Sequence, residues 1–375
     1  MHFHRTELAE NIAKALVKPD IFSDIRNGLF LTAPRRTGKS MFLQYDLIPE
    51  LNSNNVLATY VDLWSDRSVD PSVLVKKSIA EQFVTGFSSL KKYAELFGAK
   101  NFSFAGFKFD STQPAEELTI TEALRVLQKS HDKQIALIID EAQQALSSSD
   151  GENLMFALKS ARDQMNSPSD TKLLLIMTGS DRDKLVRLVH GNSAPFFGSK
   201  VETLPVLDEH FIRFVASSIE KRLSFSVDET KVSQAFALFN HRPQPFIESI
   251  GDCLNPLKQV DDFDACLLLA AAVYHGGIEN DINDLFNGLS KLEQAILLHL
   301  LSQKERFKAY DNAALAFYTE YCGKDISMSK AQKAIEKMRN REPSLIWRSS
   351  RGEYSVQEAE LSRWYETRSL QRLAP

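Results

Sequence analysis

The sequence predicts an α/β protein with a mostly parallel sheet, followed by a helical region and a small C-terminal module. Apolar strand-like segments alternate with amphipathic helical segments over the first 200 residues, which is the pattern of a sheet covered by helices on both faces. The strand-like segments stop near residue 206, and short ones return only near the C-terminus. We therefore expect a three-layer sandwich with two further modules behind it.

Four apolar segments are the predicted strands of this sheet. Their near-continuous apolar character suits strands that are buried on both faces. The intervening segments carry apolar residues at helical spacing, as Leu8, Ile12 and Leu16 do before the first strand. The predicted strands are 29–32, 56–64, 134–140 and 172–180, and the predicted helices are 5–18, 71–87, 121–131 and 152–166.

Residues 88–118 are a predicted insert in the sandwich. Phe102–Phe109 alternates aromatic with small residues around Gly106, which predicts a short hairpin. Its phenylalanines either form a partner surface or pack against the domain. Packing is favoured, because an isolated two-stranded hairpin needs a face to bury.

The region after residue 206 reads as a helical bundle that ends in a linker. Gly276, Gly277 and several Asn and Asp residues predict a polar linker over 276–287. The predicted domains are a core over 1–205, a helical lid over 206–285 and a C-terminal domain over 286–375. The predicted helices of the lid are 208–223, 228–240, 243–254 and 261–275.

The C-terminal domain reads as three helices and a hairpin. Its third helix begins at Ser327 as N-cap and carries lysines and arginines opposite an apolar face. This order, with a basic third helix, is that of a winged helix. The predicted helices are 290–303, 312–321 and 327–341, and the predicted strands are 344–348 and 353–356.

Composition fits a globular protein of two or three domains. The chain has 375 residues, of which 43% are hydrophobic and 25% charged. No apolar run approaches the ~18 residues of a membrane span, and the N-terminus lacks a signal pattern. Cys253, Cys266 and Cys322 are scattered and lack metal spacing, so we interpret them as core or neutral residues in a reducing cytoplasm. A redox pair between Cys253 and Cys266 is disfavoured, because no C-x-x-C motif is present.

Charge is distributed unevenly along the chain. Residues 201–285 hold 6 basic and 14 acidic side chains, a net charge of −8. Residues 286–375 hold 15 basic and 11 acidic side chains, a net charge of +4. An acidic middle and a basic end indicate separate modules, and the basic end suits an anionic partner.

The segment between the first strand and the next helix has the pattern of a phosphate-binding P-loop. It ends in Gly-Lys-Ser, and this strand–loop–helix order lets backbone N–H groups face a polyphosphate. Lys39 is expected to reach the β- and γ-phosphates and Ser40 to bind Mg²⁺. Ala33 stands where the pattern has glycine. The predicted nucleotide-binding residues are Ala33, Pro34, Arg35, Arg36, Thr37, Gly38, Lys39, Ser40 and Met41.

Asp140 and Glu141 end the third predicted strand, where ligands bind in open α/β sheets. Asp140 is expected to hold Mg²⁺ and Glu141 to polarise the attacking water. The alternative is an acidic helix N-terminus favoured by the helix dipole. A Lys-Ser pair one hundred residues upstream favours the first interpretation.

Ser180 and several basic residues are further candidates. Ser180 ends the fourth strand, where it would orient the attacking water or cap a turn. Arg242, at a proline-rich helix junction, would reach the phosphates or lie exposed. Arg182, Arg187 and Lys200 are candidates for an arginine finger in a neighbouring subunit, or are surface charges.

The basic helix 327–341 has two interpretations. It would enter a DNA major groove with Arg348 and Arg351 near phosphates, so that residues 327–351 bind duplex DNA. Glu336 and Glu342 interrupt the basic face, and winged helices also bind proteins. A protein partner therefore stays open.

Three motifs resemble those of a known family. Ala33–Ser40, the run Ile138–Gln143 and Thr178–Ser180 are similar to the Walker A, Walker B and sensor 1 motifs of prokaryotic AAA+/STAND-type ATPases. The likeness is to the archaeal-type, origin-recognition-like branch. It implies a P-loop NTPase core, a helical lid and a winged helix, with ATP and Mg²⁺ as cofactors. It also implies that Lys39, Ser40, Asp140, Glu141 and Ser180 serve the ATPase site.

The resulting hypothesis is an ATP-hydrolysing switch that acts on DNA through its C-terminal domain. The alternative is a nucleotide-dependent regulator or scaffold with little turnover that binds a protein. A small-molecule kinase fits less well, because no second substrate pocket is evident. We expect a cytoplasmic protein without membrane attachment, and a homo-oligomer is possible.

Overall fold

The chain folds into two compact units, Met1–Val206 and Leu207–Pro375. The three-domain division of the sequence stays a prediction. The computed structural model describes residues 3–18, 24–66, 68–85, 102–108, 116–167, 170–180, 182–190, 193–223, 226–257, 262–341, 344–348, 354–356 and 359–373.

The first unit alternates strands and helices. Short 3₁₀ helices at Asp24–Asn27 and Ala142–Ser147 and a π-helical turn at Leu43–Leu47 complete it. Its elements are α1 (Thr6–Val17), β1 (Leu29–Thr32), α2 (Lys39–Phe42), α3 (Ile48–Ser53), β2 (Val56–Asp62), α4 (Pro71–Thr85), β3 (Phe102–Phe104), β4 (Phe107–Lys108), β5 (Glu116–Glu117), α5 (Ile120–His131), β6 (Gln134–Asp140), α6 (Ser149–Met165), β7 (Leu173–Gly179), α7 (Arg182–Val186) and β8 (Val201–Thr203).

A five-stranded parallel sheet forms the centre of this unit. Its strand order is β2-β6-β7-β1-β8, and each adjacent pair is parallel. The four predicted strands are all present, and β8 joins them at the edge. Because all five strands run in one direction, their carboxyl ends meet at one edge, which carries the P-loop and Asp140.

Apolar layers cover both faces of the sheet. Successive residues of a strand point to opposite faces, so β6 contributes Leu137 and Ile139 to one buried cluster. Ala136 and Ile138 belong to the other. The predicted α/β sandwich with a parallel sheet is therefore confirmed.

The predicted hairpin of the insert is present as β3 and β4, which pair antiparallel. Phe104 is 2% exposed and contacts the ring of Phe83 in α4 with centroids 6.1 Å apart. This phenylalanine packs against the domain, as expected. Residues 88–101 and 109–115 of the insert lie outside the described residues.

The second unit is mainly helical. Its last helix, α15, is absent from the sequence prediction; its Trp364 packs on Phe286 at 5.0 Å and donates to Asn283 Oδ1 at 2.9 Å. The elements are α8 (Glu209–Leu223), α9 (Glu229–Leu238), α10 (Pro243–Cys253), α11 (Phe263–Asn287), α12 (Lys291–Gln303), α13 (Asn312–Cys322), α14 (Met328–Asn340), β9 (Ile346–Arg348), β10 (Tyr354–Val356) and α15 (Ala359–Leu373).

The predicted linker over 276–287 is wrong, because α11 continues through it to Asn287. Ile282, Leu285 and Phe286 pack into the apolar cluster of the C-terminal helices. Packing of an apolar face outweighs the low helix propensity of glycine and asparagine. Asn280, Asp281 and Asp284 of this segment are exposed on the helix, whereas Asn283 accepts the hydrogen bond from Trp364.

The prediction for the cysteines is also wrong for one pair. Cys253 at the end of α10 and Cys266 in α11 form a disulfide across a sequence separation of 13 residues. Two consecutive helices bring these two cysteines together, and the sequence contains no short motif from which this contact could be predicted. Because two of the three cysteines are paired, the cysteines no longer support the expectation of a reducing compartment.

The C-terminal helices and strands follow the predicted order. α12, α13 and α14 precede an antiparallel pair in which Ser355 lies opposite Trp347. One buried cluster joins these elements through residues such as Ile296, Tyr318 and Ile335. In the part of the chain that the structure describes, no helix has both the length and the apolarity to cross a membrane.

Candidate functional site

The loop between β1 and α2 makes a tight turn that presents Lys39 as the first residue of α2. Arg36 and Gly38 have positive φ angles of 65° and 88°, and glycine adopts the second without steric cost. Thr37 Oγ1 donates to the Pro34 carbonyl at 2.6 Å and closes the turn. This is the geometry expected of a phosphate-binding loop.

Ala33 replaces the usual glycine without strain. Its φ is not positive, and its N–H donates to the Gly179 carbonyl at 3.1 Å. It is 1% exposed. A small residue is therefore required here, but a glycine backbone is not.

Lys39 links the P-loop to the carboxylates at the end of β6, which is the third strand of the five-stranded sheet in chain order. Its Nζ contacts Asp140 Oδ1 and lies 3.2 Å from Glu141 Oε1. Lys39 is 7% and Asp140 1% exposed. Because both carboxylates contact this buried ammonium, an entering phosphate would compete with both of them for Lys39.

Three hydroxyl groups converge on Asp140. Ser40 Oγ donates to Oδ2 at 2.7 Å, Tyr60 OH donates to Oδ2 at 3.0 Å, and Thr178 Oγ1 donates to Oδ1 at 2.6 Å. Burial alone would raise the pKa of Asp140, but the Lys39 charge and the hydrogen bonds lower it below its usual value. Asp140 is therefore a fixed anion.

Glu141 is held from several sides. Its backbone is left-handed, with φ 53°. Oε2 accepts from Gln143 Nε2 at 2.6 Å, from Ser180 Oγ at 2.9 Å and from Ser180 N at 3.2 Å. The Ser180 hydroxyl is thus committed to Glu141, and its predicted role toward water stays a prediction.

Asp62 is a third carboxylate at this edge of the sheet. It ends β2 directly opposite Asp140 in the strand register. Burial and the charges of Asp140 and Glu141 raise its pKa, against a hydrogen bond from the Trp64 N–H. Negative charge is therefore concentrated where a cation would bind.

Sequence reasoning missed four residues of this site: Tyr60, Asp62, Gln143 and Thr178. Tyr60, Asp62 and Thr178 are polar residues within apolar strands, and that contrast is the signal available in the sequence. Gln143 lies in the 3₁₀ turn after β6, and the sequence does not reveal which side of that turn faces Glu141.

The other predicted P-loop residues differ in surroundings. The Arg35 guanidinium lies 4.3 Å from the centroid of the Trp64 ring, a cation–π contact. Arg36 is exposed. Met41 is 47% exposed, so its side chain faces away from the buried cluster.

The remaining basic candidates have surroundings of their own. Arg242 belongs to the second unit, where its guanidinium pairs with Glu360 of α15. Arg182 and Lys200 are exposed, and Arg187 is half-buried. Their proposed roles toward phosphate or a neighbouring subunit stay predictions.

The basic helix α14 is partly neutralised by acidic neighbours. Lys337 Nζ pairs with Glu293 Oε1 at 2.9 Å, and Arg339 Nη1 contacts both carboxylate oxygens of Glu336. Lys330 and Lys333 are exposed. The side chain of Arg348, like Arg351 and Glu342, lies outside the described residues.

Ser40 and Asp140 fit a magnesium ion. Mg²⁺ prefers oxygen ligands and is usually held by one or two carboxylates together with substrate phosphates. The Ser40 hydroxyl and Asp140 carboxylate already lie 2.7 Å apart, beside the lysine of the P-loop. A site of three or more His, Cys, Asp and Glu ligands does not occur among the described residues.

Part of the chain matches a known family model, and the chain as a whole is similar to solved structures. Residues 25–185 match the family model described as an AAA domain. The chain is similar to a Walker-type ATPase of Pyrococcus abyssi, with 17% identity, a TM-score of 0.50 and coverage of 96% of this chain and 95% of that one. It is also similar to the ORC2 protein of Aeropyrum pernix in its ADP form, with 12% identity, a TM-score of 0.55 and coverage of 99% and 94%.

At these identities the two solved structures support the fold. The comparison with curated proteins finds no match. The family match spans β1, the P-loop, Asp140, Glu141 and Ser180, which carried the resemblance. Residues 25–185 therefore resemble an AAA domain, and the expected resemblance to P-loop ATPases of the AAA+ class is confirmed.

Proposed function

We propose that this protein binds ATP with Mg²⁺ and hydrolyses it, as a molecular switch of the AAA+ class. The observation that carries the proposal is the cluster of Lys39, Ser40, Asp140, Glu141 and Thr178, in which all residues except the exposed Ser40 are buried. It joins the P-loop to the ends of two neighbouring strands. A lysine, two hydroxyls and two carboxylates converge there, and phosphoryl transfer requires such groups.

Each residue has a role that follows from its contacts. Lys39 would leave Asp140 and Glu141 for the phosphates, since its ammonium is equally satisfied by phosphate oxygens. Ser40 and Asp140 would hold Mg²⁺, which would neutralise phosphate charge. Release of Lys39 frees Glu141 Oε1 to accept a proton from the attacking water. Ser180 and Gln143 keep Oε2 in place meanwhile.

The variant Glu141→Gln tests turnover. We expect it to retain ATP binding and to lose hydrolysis by about 100-fold or more, because the amide cannot accept the proton of water. Nucleotide binding is measured by calorimetry and turnover by phosphate release. Lys39→Ala is the contrast, since it should lose binding itself. Unchanged hydrolysis in Glu141→Gln would contradict the proposed mechanism.

A second proposed activity is binding of duplex DNA by the C-terminal helices and hairpin, acting as a winged helix. The exposed Lys330 and Lys333 on α14 support it. The pairing of Lys337 and Arg339 with glutamates favours the alternative, a regulator with little turnover whose C-terminal module binds a protein. Single-turnover assays with and without DNA, at several protein concentrations, separate these functions and report dependence on oligomer formation.

A further inference from the structure

Gln143 holds Glu141 through one end of its amide and leaves the other end without a partner. Nε2 donates to Glu141 Oε2 at 2.6 Å, and only the N–H end of an amide donates to a carboxylate. Oε1 is buried and has no hydrogen-bond partner among the described residues. A buried amide oxygen without a partner costs stability, so this side chain is not placed for stability alone.

Gly179 provides the space for this arrangement. A Cβ at position 179 would overlap Gln143 Oε1, whereas the nearest other side chain, that of Leu185, would be at an ordinary distance of 3.5 Å. Gly179 ends β7 without a positive φ, so its backbone does not require glycine. A side chain at position 179 would therefore fill the space that the Gln143 amide occupies.

The backbone conformation of Glu141 explains why its side chain needs the contact with Gln143. Glu141 adopts a left-handed conformation, which costs on the order of 1 kcal/mol or more in a non-glycine residue. Gln143 and Ser180 hold the same oxygen, Oε2, from two elements, and so leave Oε1 directed at Lys39.

We propose that Gln143 is a positioning residue that orients Glu141 to accept a proton from the attacking water. We also propose that Gly179 is required because a side chain at this position would occupy the space of the Gln143 amide. This inference rests on the proposed hydrolysis of ATP. Gln143 acts through Glu141 and does not itself contact the nucleotide. Its loss should therefore lower kcat and leave nucleotide affinity unchanged.

The test compares kcat, KM and the Kd of a non-hydrolysable ATP analogue in the full chain. Gln143→Ala removes the donor, and Gln143→Met removes it while keeping a side chain of similar length. We expect both variants to lose 10- to 100-fold in kcat, as misplacement of a reacting group does. KM and Kd should stay within about twofold. Gln144→Ala is the matched control, because Gln144 lies in the same turn and contributes only its backbone N–H to the Glu141 carbonyl.

A double substitution tests the role of Gly179. Gly179→Ala alone should lower kcat as much as Gln143→Ala, because the new methyl group displaces the amide. Gly179→Ala combined with Gln143→Ala should be no slower than Gln143→Ala alone, because the smaller side chain leaves room. Additive losses would overturn the coupling of these two positions.

The outcomes separate this inference from the proposed function. Turnover in the unaltered protein with a normal kcat in both Gln143 variants would overturn the positioning role and leave the ATPase proposal standing. Binding of the analogue without turnover in the unaltered protein would overturn the proposed hydrolysis, and this inference with it. A parallel loss of analogue binding in Gln143→Met would assign Gln143 a structural role and overturn the proposal.

Discussion

At the scale of single residues, Lys39 is where ion pairing and ligand binding compete. Its ammonium is 7% exposed and is satisfied by two carboxylates and, at 3.4 Å, by Thr178 Oγ1. Removing one partner of such a buried pair costs several kcal/mol, whereas exchanging one anion for another preserves the charge balance. A polyphosphate is therefore a suitable competitor for this lysine, and a neutral ligand is not.

Thr178→Val should weaken the apparent affinity of the proposed ATPase for Mg²⁺. Valine keeps the shape of the buried side chain but removes the hydroxyl that donates to Asp140 Oδ1 at 2.6 Å. A hydrogen bond to a charged group contributes about 1.5–3 kcal/mol, so the Mg²⁺ concentration for half-maximal activity should rise about 10-fold or more. The measurement is ATPase rate against Mg²⁺ concentration. Thr178→Ser is the control, and a Val variant equal to it would contradict the prediction.

Asp62→Asn should stabilise the first unit at pH 7. Burial and the charges of Asp140 and Glu141 raise the pKa of Asp62 above 3.8, so the folded state holds this proton more tightly than the unfolded state. The stability due to this group is present below pH 3.8 and is lost as pH rises through the folded pKa. Asparagine keeps the acceptor for the Trp64 N–H and avoids that loss.

Urea unfolding at pH 7 and near pH 4 measures this effect. The gain in unfolding free energy from Asp62→Asn should be larger at pH 7 than near pH 4. A variant that is less stable than the unaltered protein at pH 7 would show that the charge of Asp62 is needed for the fold. Glu202→Gln, an exposed site on β8, is the control for loss of one carboxylate.

The residues of the proposed ATP site could be predicted at the residue scale, and the contacts that support them could not. Lys39, Ser40, Asp140 and Glu141 follow strand ends in a pattern that the sequence displays. Tyr60 and Thr178 stand out in the sequence as polar residues within apolar strands, but their contact with Asp140 follows only from the strand register, which depends on pairing between distant segments. The contact between Gln143 and Glu141 could not be predicted, because it depends on the geometry of the turn after β6, which local propensity does not specify.

At the scale of elements, α11 shows how packing overrides local preference. Gly276 and Gly277 lie inside this 25-residue helix, although glycine is unfavourable in a helix interior. The apolar residues beyond them pack with α15 and the C-terminal cluster. The sequence analysis also missed α15. Its apolar residues pack on the segment of α11 that was predicted to be a linker, so the sequence offered no surface for them to pack against.

Gly277→Ala should stabilise the second unit by about 0.5–1 kcal/mol. Gly277 is exposed, and a Cβ there would meet nothing within 4 Å. The variant therefore reduces unfolded-state entropy without a clash. The measurement is the denaturation midpoint. Gly323→Ala is the contrast, since Gly323 ends α13 with φ 63° and should lose stability. A destabilised Gly277→Ala would indicate that this helix is interrupted at its glycines.

At the scale of the whole molecule, charge and chemistry are divided between the two units. The first unit contains the lysine–carboxylate cluster, and residues 201–375 contain the acidic and basic segments, with net charges of −8 and +4. The sequence predicted this division of charge, because charge counts need no tertiary information. It did not predict that Glu293 and Glu336 neutralise two cations of α14, because those pairs depend on helix packing and side-chain rotamers.

Binding of DNA by α14 would depend on the lysines that no glutamate neutralises. Lys330 and Lys333 are exposed, whereas Lys337 already pairs with Glu293. Each lysine–phosphate contact releases about one counterion, so log Kd changes with log salt by about 0.9 per contact. Lys330→Ala with Lys333→Ala should therefore weaken duplex binding and reduce the salt slope by about two.

Fluorescence anisotropy of labelled duplex DNA between 50 and 200 mM salt, about the range where such contacts dominate, measures that slope. Lys221→Ala with Arg222→Ala is the matched control, because both side chains are exposed on α8 of the same unit. An equal loss in the control would indicate attraction by net charge and contradict a role for α14. Absence of duplex binding even at the low-salt end would contradict DNA binding itself and favour a protein partner for the C-terminal module.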